Sequence, residues 1–299
     1  MKKIAIIGIG TWGKNLVREF SQFVIITKCV TLGNPKNLEW LQKNYPKILP
    51  STNINEILND NSIDAVVIAT PISSHYKIIK RVLESGKHVF VEKPMTQTIL
   101  QANNLLNIAK RKKLCLFVGY IFLHNQIFKK IKKINEKEFI TTMNFDWKKF
   151  GTFNEDIFEN LLSHELSINL ELFGPPKKIK LLNKSSFITN MDSFSLELNY
   201  NNNKSIINVD RIANYKKKTS TIITKKNFYI WDNDILYKFN KRSKSLIVFF
   251  QSKHSPLYLE CKKFISDINN KKFNIDSAIL AKNIISIISK MNKTKPITH

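Results

Sequence analysis

Short apolar runs rich in β-branched residues recur through the first 120 positions, at 4–7, 24–30, 63–69, 88–91 and 114–118. Between them lie stretches with helical spacing of apolar residues, near 13–22, 36–44, 75–86 and 96–112. Apolar strands that alternate with amphipathic helices build a parallel sheet covered on both faces. Glycine and proline punctuate the joints: Gly8 and Gly10 after the first run, Pro71 after the third, Gly86 closing a helix and Pro94 after the next strand. After Gly119 the pattern changes. Residues 194–200 read Phe-Ser-Leu-Glu-Leu-Asn-Tyr, the period-two alternation of a strand with one buried face. Similar runs occur at 138–147, 204–211, 219–225, 228–231 and 234–239, while helical spacing returns only at 125–134, 155–173, 256–270 and 276–291. The pattern predicts an α/β chain: a doubly wound parallel sheet over 1–119, then an α+β domain with an open, mainly antiparallel sheet over 120–299.

Composition narrows the function classes. A chain of 299 residues suits two domains, and 43% hydrophobic with 24% charged residues is ordinary globular content. No apolar run reaches 18 residues, so no membrane span is expected. The opening Met-Lys-Lys and apolar run begin as a signal peptide does, but the run is short and enters a glycine turn, which reads as a first strand. Cys29, Cys115 and Cys261 are odd in number and far apart, a usage that fits a reducing cytoplasm and no cysteine-built metal site. No His/Asp/Glu group has ligand spacing either, so no metal is expected. The net charge of +25 comes almost wholly from lysine, accompanied by abundant Asn and Ile. Arginine, the usual base reader, is scarce, so specific nucleic-acid binding is not expected; the positive field suits a small anionic molecule better.

Gly8-Ile9-Gly10-Thr11-Trp12-Gly13 is a Gly-x-Gly-x-x-Gly turn between an expected strand and an expected helix. In that context Gly8 permits the tight turn, Gly10 lets the backbone approach a pyrophosphate and Gly13 allows close helix–strand packing. The helix start, with Thr11 and Trp12, offers N–H groups to phosphate. This is the Rossmann arrangement for a dinucleotide. A carboxylate for the adenine ribose is expected some twenty residues later. Residues 31–36 read Thr-Leu-Gly-Asn-Pro-Lys instead, with Asn34 and Lys36 but no acid, a slight lean to NADP over NAD. Thr70, Pro71 and His75 follow one buried strand, and Glu92-Lys93-Pro94 ends another. Strand ends of this kind are where ligands bind in the architecture.

These segments together resemble the Gfo/Idh/MocA oxidoreductases, through GIGTWGKN, DAVVIATPISSHY, GKHVFVEKP, VGYIFLHN, NLLSHELSINLELFG and SPLYLECKKFISDI, spread over essentially the whole chain. Within the family the branch acting on nucleotide-linked hexoses and hexuronates of surface-polysaccharide pathways is the most similar, such as UDP-N-acetyl-glucosaminuronate dehydrogenases. The resemblance implies NAD(P)-dependent hydride transfer with a sugar carbon, and Lys93 in contact with substrate beside the nicotinamide. It also implies a homodimer or homotetramer, formed through the second domain's sheet.

The family's second-domain motif is Asp-x-x-x-His, and the resemblance makes His164 the acid/base, with Gly174 ten residues on. The aspartate position holds Asn160. Residues four apart share a helix face, so Asn160 and His164 are expected in one site. Asparagine can orient an imidazole but supplies no charge, which leaves a second expectation open: a catalytically impaired, cofactor-binding sensor or partner protein. His124 and Asn125 fall where the family often contacts substrate, although Asn125 also reads as a helix N-cap. Lys216, Lys217 and Lys218 read as a solvated charge run, and Phe145 and Trp147 as packing on one sheet face.

Overall fold

A computed structural model describes residues 2–270 and 273–293. The chain forms two compact units, Met1–Ile121 together with the residues from Leu257 onward, and Phe122–Pro256. The first break falls two residues from the expected boundary at 119/120. The second was not expected: the last two helices, assigned from sequence to a domain over 120–299, belong to the first unit.

In the first unit, strands β1 (Lys3–Ile7), β2 (Ile25–Val30), β3 (Leu49–Ser51), β4 (Ala65–Ile68), β5 (His88–Glu92) and β6 (Leu116–Gly119) form one sheet, in the order β3-β2-β1-β4-β5-β6. Every pairing in it is parallel. Helices α1 (Thr11–Phe20), α2 (Pro35–Asn44), α3 (Asn55–Leu58), α4 (Ile72–Glu84) and α5 (Ile99–Lys112) connect the strands. Strand order reverses between β1 and β4, so the loops after these two strands border the crevice where a doubly wound sheet binds ligands. Strand β3, Leu-Pro-Ser, is too short to show a period, and the sequence pattern missed it.

The terminal helices show why their assignment failed. A fourteen-residue helix carries Leu257, Cys261, Phe264, Ile265 and Ile268 on one stripe, which says that it covers a sheet but not which one. Phe264 lies with its ring centroid 5.6 Å from Phe90, 5.7 Å from Phe117 and 6.1 Å from Phe20. Burying such a ring is worth about 2–3 kcal/mol, and four rings meet here. The following helix docks by two backbone groups of β6: Leu116 N–H donates to Asn274 O at 3.1 Å, and Val118 N–H to Ser277 Oγ at 2.9 Å.

In the second unit, α6 (Gln126–Glu138) and α7 (Ser163–Phe173) accompany an eight-stranded sheet. Its strands are β7 (Ile140–Lys148), β8 (Lys178–Ser185), β9 (Ser193–Asn199), β10 (Lys204–Asp210), β11 (Lys217–Thr224), β12 (Phe228–Asp232), β13 (Ile235–Asn240) and β14 (Ser245–Gln251). The order is β14-β13-β12-β11-β7-β10-β9-β8; β7 and β10 run parallel and the other pairs antiparallel. The clean alternations expected at 194–200 and 204–211 are β9 and β10, whose inward residues Phe194, Leu196, Leu198, Ile207 and Val209 are buried. Edge strands β8 and β14 lack alternation, because both of their faces are largely exposed. The chain's final helices are α8 (Pro256–Asn269) and α9 (Asp276–Lys293).

Candidate functional site

The first unit builds its cradle from backbone. Gly8 has φ +92°, and a Cβ there would stand 2.5 Å from the Ala69 carbonyl oxygen, so the loops after β1 and β4 touch main chain to main chain. A Cβ on Gly13 would strike the Gly8 carbonyl. Gly10 is different: a Cβ there meets nothing within 4 Å. Gly10 is also the N-cap of α1, with no side-chain cap and no acid in the first turn, and Thr11 and Trp12 begin the helix exposed. Helix N–H groups thus point into open space with a partial positive charge, which fits a dinucleotide pyrophosphate.

Thr70 and Pro71 follow β4 at the same edge, and Ser74 Oγ bonds Thr70 Oγ1 at 2.8 Å. His75, expected among the cofactor contacts, is instead 1% exposed beneath them. Its Nε2 lies 2.7 Å from Thr70 O and its Nδ1 2.8 Å from Pro94 O. Burial pushes this imidazole below its usual pKa, and the two carbonyls oppose the shift. His75 ties the Thr70 loop to the Glu92-Lys93-Pro94 loop, so it steadies the cradle rather than reaching a ligand. Asn34 is exposed, and its Oδ1 accepts the Asn37 N–H at 3.3 Å to cap α2.

Glu92 closes β5 with its carboxyl turned inward. Its two oxygens stand 3.3 and 3.4 Å from where a Cβ on Gly119 would lie, which explains a glycine at that strand end. Burial pushes this carboxyl up to about 7, although the Trp12 indole and the Lys93 cation favour its charged form. Lys93 itself is half-buried, one residue past the strand end. Glu260, on α8, is fully buried, and burial together with the Glu92 charge raises its carboxyl well above the usual range.

The second unit builds from side chains. Phe158–Leu162 forms one wide π turn before α7, and the Ser163 N–H reaches back five residues to Phe158 O. Asp156 starts it by accepting the N–H groups of Phe158 and Glu159 at 2.9 and 3.0 Å. Ser163 Oγ donates to Glu159 O at 2.7 Å, a back-bond that loosens the ordinary ladder. Asn160 lies in this turn and His164 just after it, so the expected i, i+4 pair spans an irregular joint of a kind frequent at functional sites. From Ser163 to Asn169 every residue of α7 is buried, including the polar His164, Glu165, Ser167 and Asn169.

Aromatic rings surround His164. Phe122 meets the imidazole edge-on at 5.0 Å, and Trp147, from β7, lies tilted on it at 5.6 Å. Lys218, from β11, places Nζ 3.4 Å from the centroids of both rings and 3.3 Å from Glu165 Oε1. Phe122, Glu165, Ile168, Lys218, Ser220, Trp231 and Asn233 line a cavity of about 60 Å³ beside them. Lys218 therefore corrects its reading as part of a solvated run, and Trp147 does more than pack the sheet. The signal was present: on β11 the positions 218, 220, 222 and 224 face inward, so the first of them is an interior lysine. Glu165, Phe122 and Trp231 left no such signal. Of the other expected contacts, Asn125 is 2% exposed and spends its Oδ1 capping α6 through Ile127 N–H at 2.7 Å. It serves as the cap, not as a free substrate group. His124 ends the short turn Ile121–His124. Among the described residues, no three His, Cys, Asp or Glu side chains group to hold a metal ion, and no helix is long and apolar enough to cross a membrane.

Comparison with known proteins agrees with the first unit. Residues 2–120 match the family described as an oxidoreductase family with an NAD-binding Rossmann fold. An uncharacterized oxidoreductase of Escherichia coli, YhhX, is 29% identical over 202 residues, 62% of this chain and 58% of that protein. The Bacillus subtilis scyllo-inositol 2-dehydrogenase (NADP+) IolW is 27% identical over 186 residues, 56% of this chain and 52% of its own. The matches thus span little more than half the length of these relatives. In fold, the UDP-N-acetylglucosamine 3-dehydrogenase GnnA of Acidithiobacillus ferrooxidans superposes with a TM-score of 0.87 at 17% identity, over 96% of this chain and 95% of that one. Over residues 2–120, its Rossmann unit, the chain is thus similar to the Gfo/Idh/MocA oxidoreductases.

Proposed function

We propose that the protein is an NAD(P)-dependent oxidoreductase acting on an alcohol carbon of a sugar or nucleotide sugar, in the making of surface-polysaccharide sugars. The observation that carries the reading is the open, capless start of α1 at Gly10, where Trp12 of the first turn bonds Glu92, the neighbour of Lys93 at the end of β5. The polyol and nucleotide-sugar dehydrogenases among the relatives and structural neighbours support the substrate class. A nicotinamide held there would supply the hydride acceptor or donor. Gly8, Gly10, Gly13 and the first N–H groups of α1 hold the pyrophosphate, with Thr70 and Pro71 beside them. Lys93 holds the substrate oxygen and stabilises negative charge on it. His164 accepts the hydroxyl proton in oxidation and returns it in reduction, oriented by Asn160; His124 contributes a substrate contact. Lys36 and the missing acid at 31–36 lean the cofactor towards NADP.

Three buried free cysteines support a cytoplasmic setting. Strand β14 exposes Leu246, Ile247 and Val248 in succession at a sheet edge, which supports self-association as a dimer or tetramer.

The test is fluorescence titration with NADH and NADPH; binding of neither overturns the reading. Lys93→Met and His164→Ala are each expected to slow turnover by ~10² or more while cofactor affinity stays within about threefold. A second reading, a cofactor-binding protein with impaired catalysis, is favoured by Asn160 in the family's aspartate position. Asn160→Asp changes the pH profile of an enzyme and leaves an inactive scaffold inactive.

A further inference from the structure

The scheme above gives no task to the half-buried cation beside His164. Lys218 lies over the faces of Phe122 and Trp147, 3.4 Å from each centroid, and 3.3 Å from Glu165 Oε1. The same two rings pack on the imidazole of His164, and Glu165 is its neighbour in the chain. The Lys218 side chain is only 22% exposed and Glu165 1%. Drawing a cation and a carboxylate this far from water costs solvation that an apolar pair of the same volume avoids. The ring faces and the carboxylate compensate the ammonium, and in doing so they fix the rings.

We propose that Lys218, balanced by Glu165, is a positioning residue for His164: it holds the two rings that wedge the imidazole and sets the charge against which His164 gains or loses its proton. The inference builds on the reading of His164 as the proton-transfer group. Glu159 and Glu165 lie on the imidazole's own helical segment, Lys218 on β11, and His124 two residues beyond Phe122. Asp146 and Lys148 alternate with Trp147, and Lys217 with Lys218, so these three point to the opposite sheet face, where Lys217 pairs with Asp146 at 3.1 Å. Lys132 bonds Glu171 towards the far end of α7. Among the described residues, Lys218 is a cation that lies against both rings.

Removing either partner changes the local charge in opposite senses. In Lys218→Met the carboxylate remains, the imidazolium is favoured, and His164 titrates at higher pH than in wild type. In Glu165→Gln the ammonium remains unbalanced, and His164 titrates at lower pH. Loosened packing alone moves both variants the same way. The measurement is an NMR titration of the His164 imidazole in the whole chain, its resonance assigned by loss in His164→Ala. Lys218→Arg keeps the charge and the wild-type midpoint; Lys218→Gln replaces the methionine variant if that one does not fold. Opposite shifts support the proposal, and shifts of one sign, or none, overturn it. Because the titration needs no substrate, failure of every sugar to turn over sinks the proposed function while leaving this result readable.

Discussion

In the first unit the groups that face a dinucleotide are main chain: helix N–H groups at Gly10, and two loops that meet because Gly8 and Gly13 lack a Cβ. In the second unit the groups around His164 are side chains from separate segments, with Phe122 before α6, Trp147 on β7, Glu165 on α7 and Lys218 on β11. A backbone site depends on what cannot be added. A side-chain site depends on what cannot be taken away. The two should therefore fail differently.

Addition in the first unit is expected to have the largest effect. Gly13→Ala drives a methyl into the Gly8 carbonyl, and Gly8→Ala adds a positive φ to a 2.5 Å approach to Ala69 O. Each should cost about 3 kcal/mol or more in denaturant unfolding. Gly10→Ala is the control, because its methyl meets nothing within 4 Å. It should unfold within about 0.5 kcal/mol of wild type, yet bind dinucleotide roughly tenfold more weakly by filling the phosphate's approach. Equal destabilisation by all three would remove the distinction between fold glycines and ligand glycine.

Deletion is the matching test in the second unit. Arg211, 4% exposed, donates to Thr152 O and Glu155 O at 3.0 and 2.9 Å and to Met191 O at 2.9 Å. Its Nε stands 3.6 Å from the buried Asp192 carboxylate. Burial opposes the charge on Asp192, but the Thr189 hydroxyl and the N–H groups of Phe187, Ile188 and Thr189 hold its carboxyl well below the usual range. Arg211→Met removes the cation facing that carboxylate and leaves three carbonyls without this donor, at an expected cost of about 3 kcal/mol. The loop it releases, 152–155, leads into the turn that carries Asn160, so His164-dependent turnover should fall with it. If stability falls and turnover does not, the loop plays no part in placing the histidine.

The same contrast decides what the sequence could say. Gly8, Gly10 and Gly13 sit within six residues, flanked by a strand and a helix, so their geometry is local and their spacing displays it. Lys93 was legible for the same reason, as the residue after a strand. His164 was found only because a family resemblance named it; its rings come from positions 122 and 147, and no local period joins them. Lys218 looked like surface because its two neighbours in the run are exposed, and only strand alternation separates it from them. Asn125 and Asn34 each precede a helix, where a cap and a ligand contact look alike in the sequence. An asparagine before a helix is most cheaply explained by the helix, and both turned out to be caps.

The last test concerns the carboxyl pair of Glu92 and Glu260, whose effect is graded with pH rather than all-or-none. Glu92 is pushed up to about 7 by burial, against the pull of Trp12 and Lys93, and Glu260 is raised by burial and by the Glu92 charge. Unfolded, both side chains lose their protons near the ordinary value of about 4.3. From there to about 7 the native state binds more protons than the unfolded one, so the pair's contribution falls as pH rises. The slope is at most about 1.4 kcal/mol per pH unit for each retained proton. His75 and His88 act in the other direction: burial lowers both, so the stability they contribute is lost as pH falls below the usual histidine value. The informative quantity is therefore the difference between Glu260→Gln and wild type, measured by urea unfolding from pH 5 to pH 8. The glutamine keeps the histidines and removes one proton and one potential charge, so the variant should gain on wild type steadily as pH rises. A difference independent of pH would mean that Glu260 is already ionised across this range, with a counter-charge strong enough to outweigh its burial.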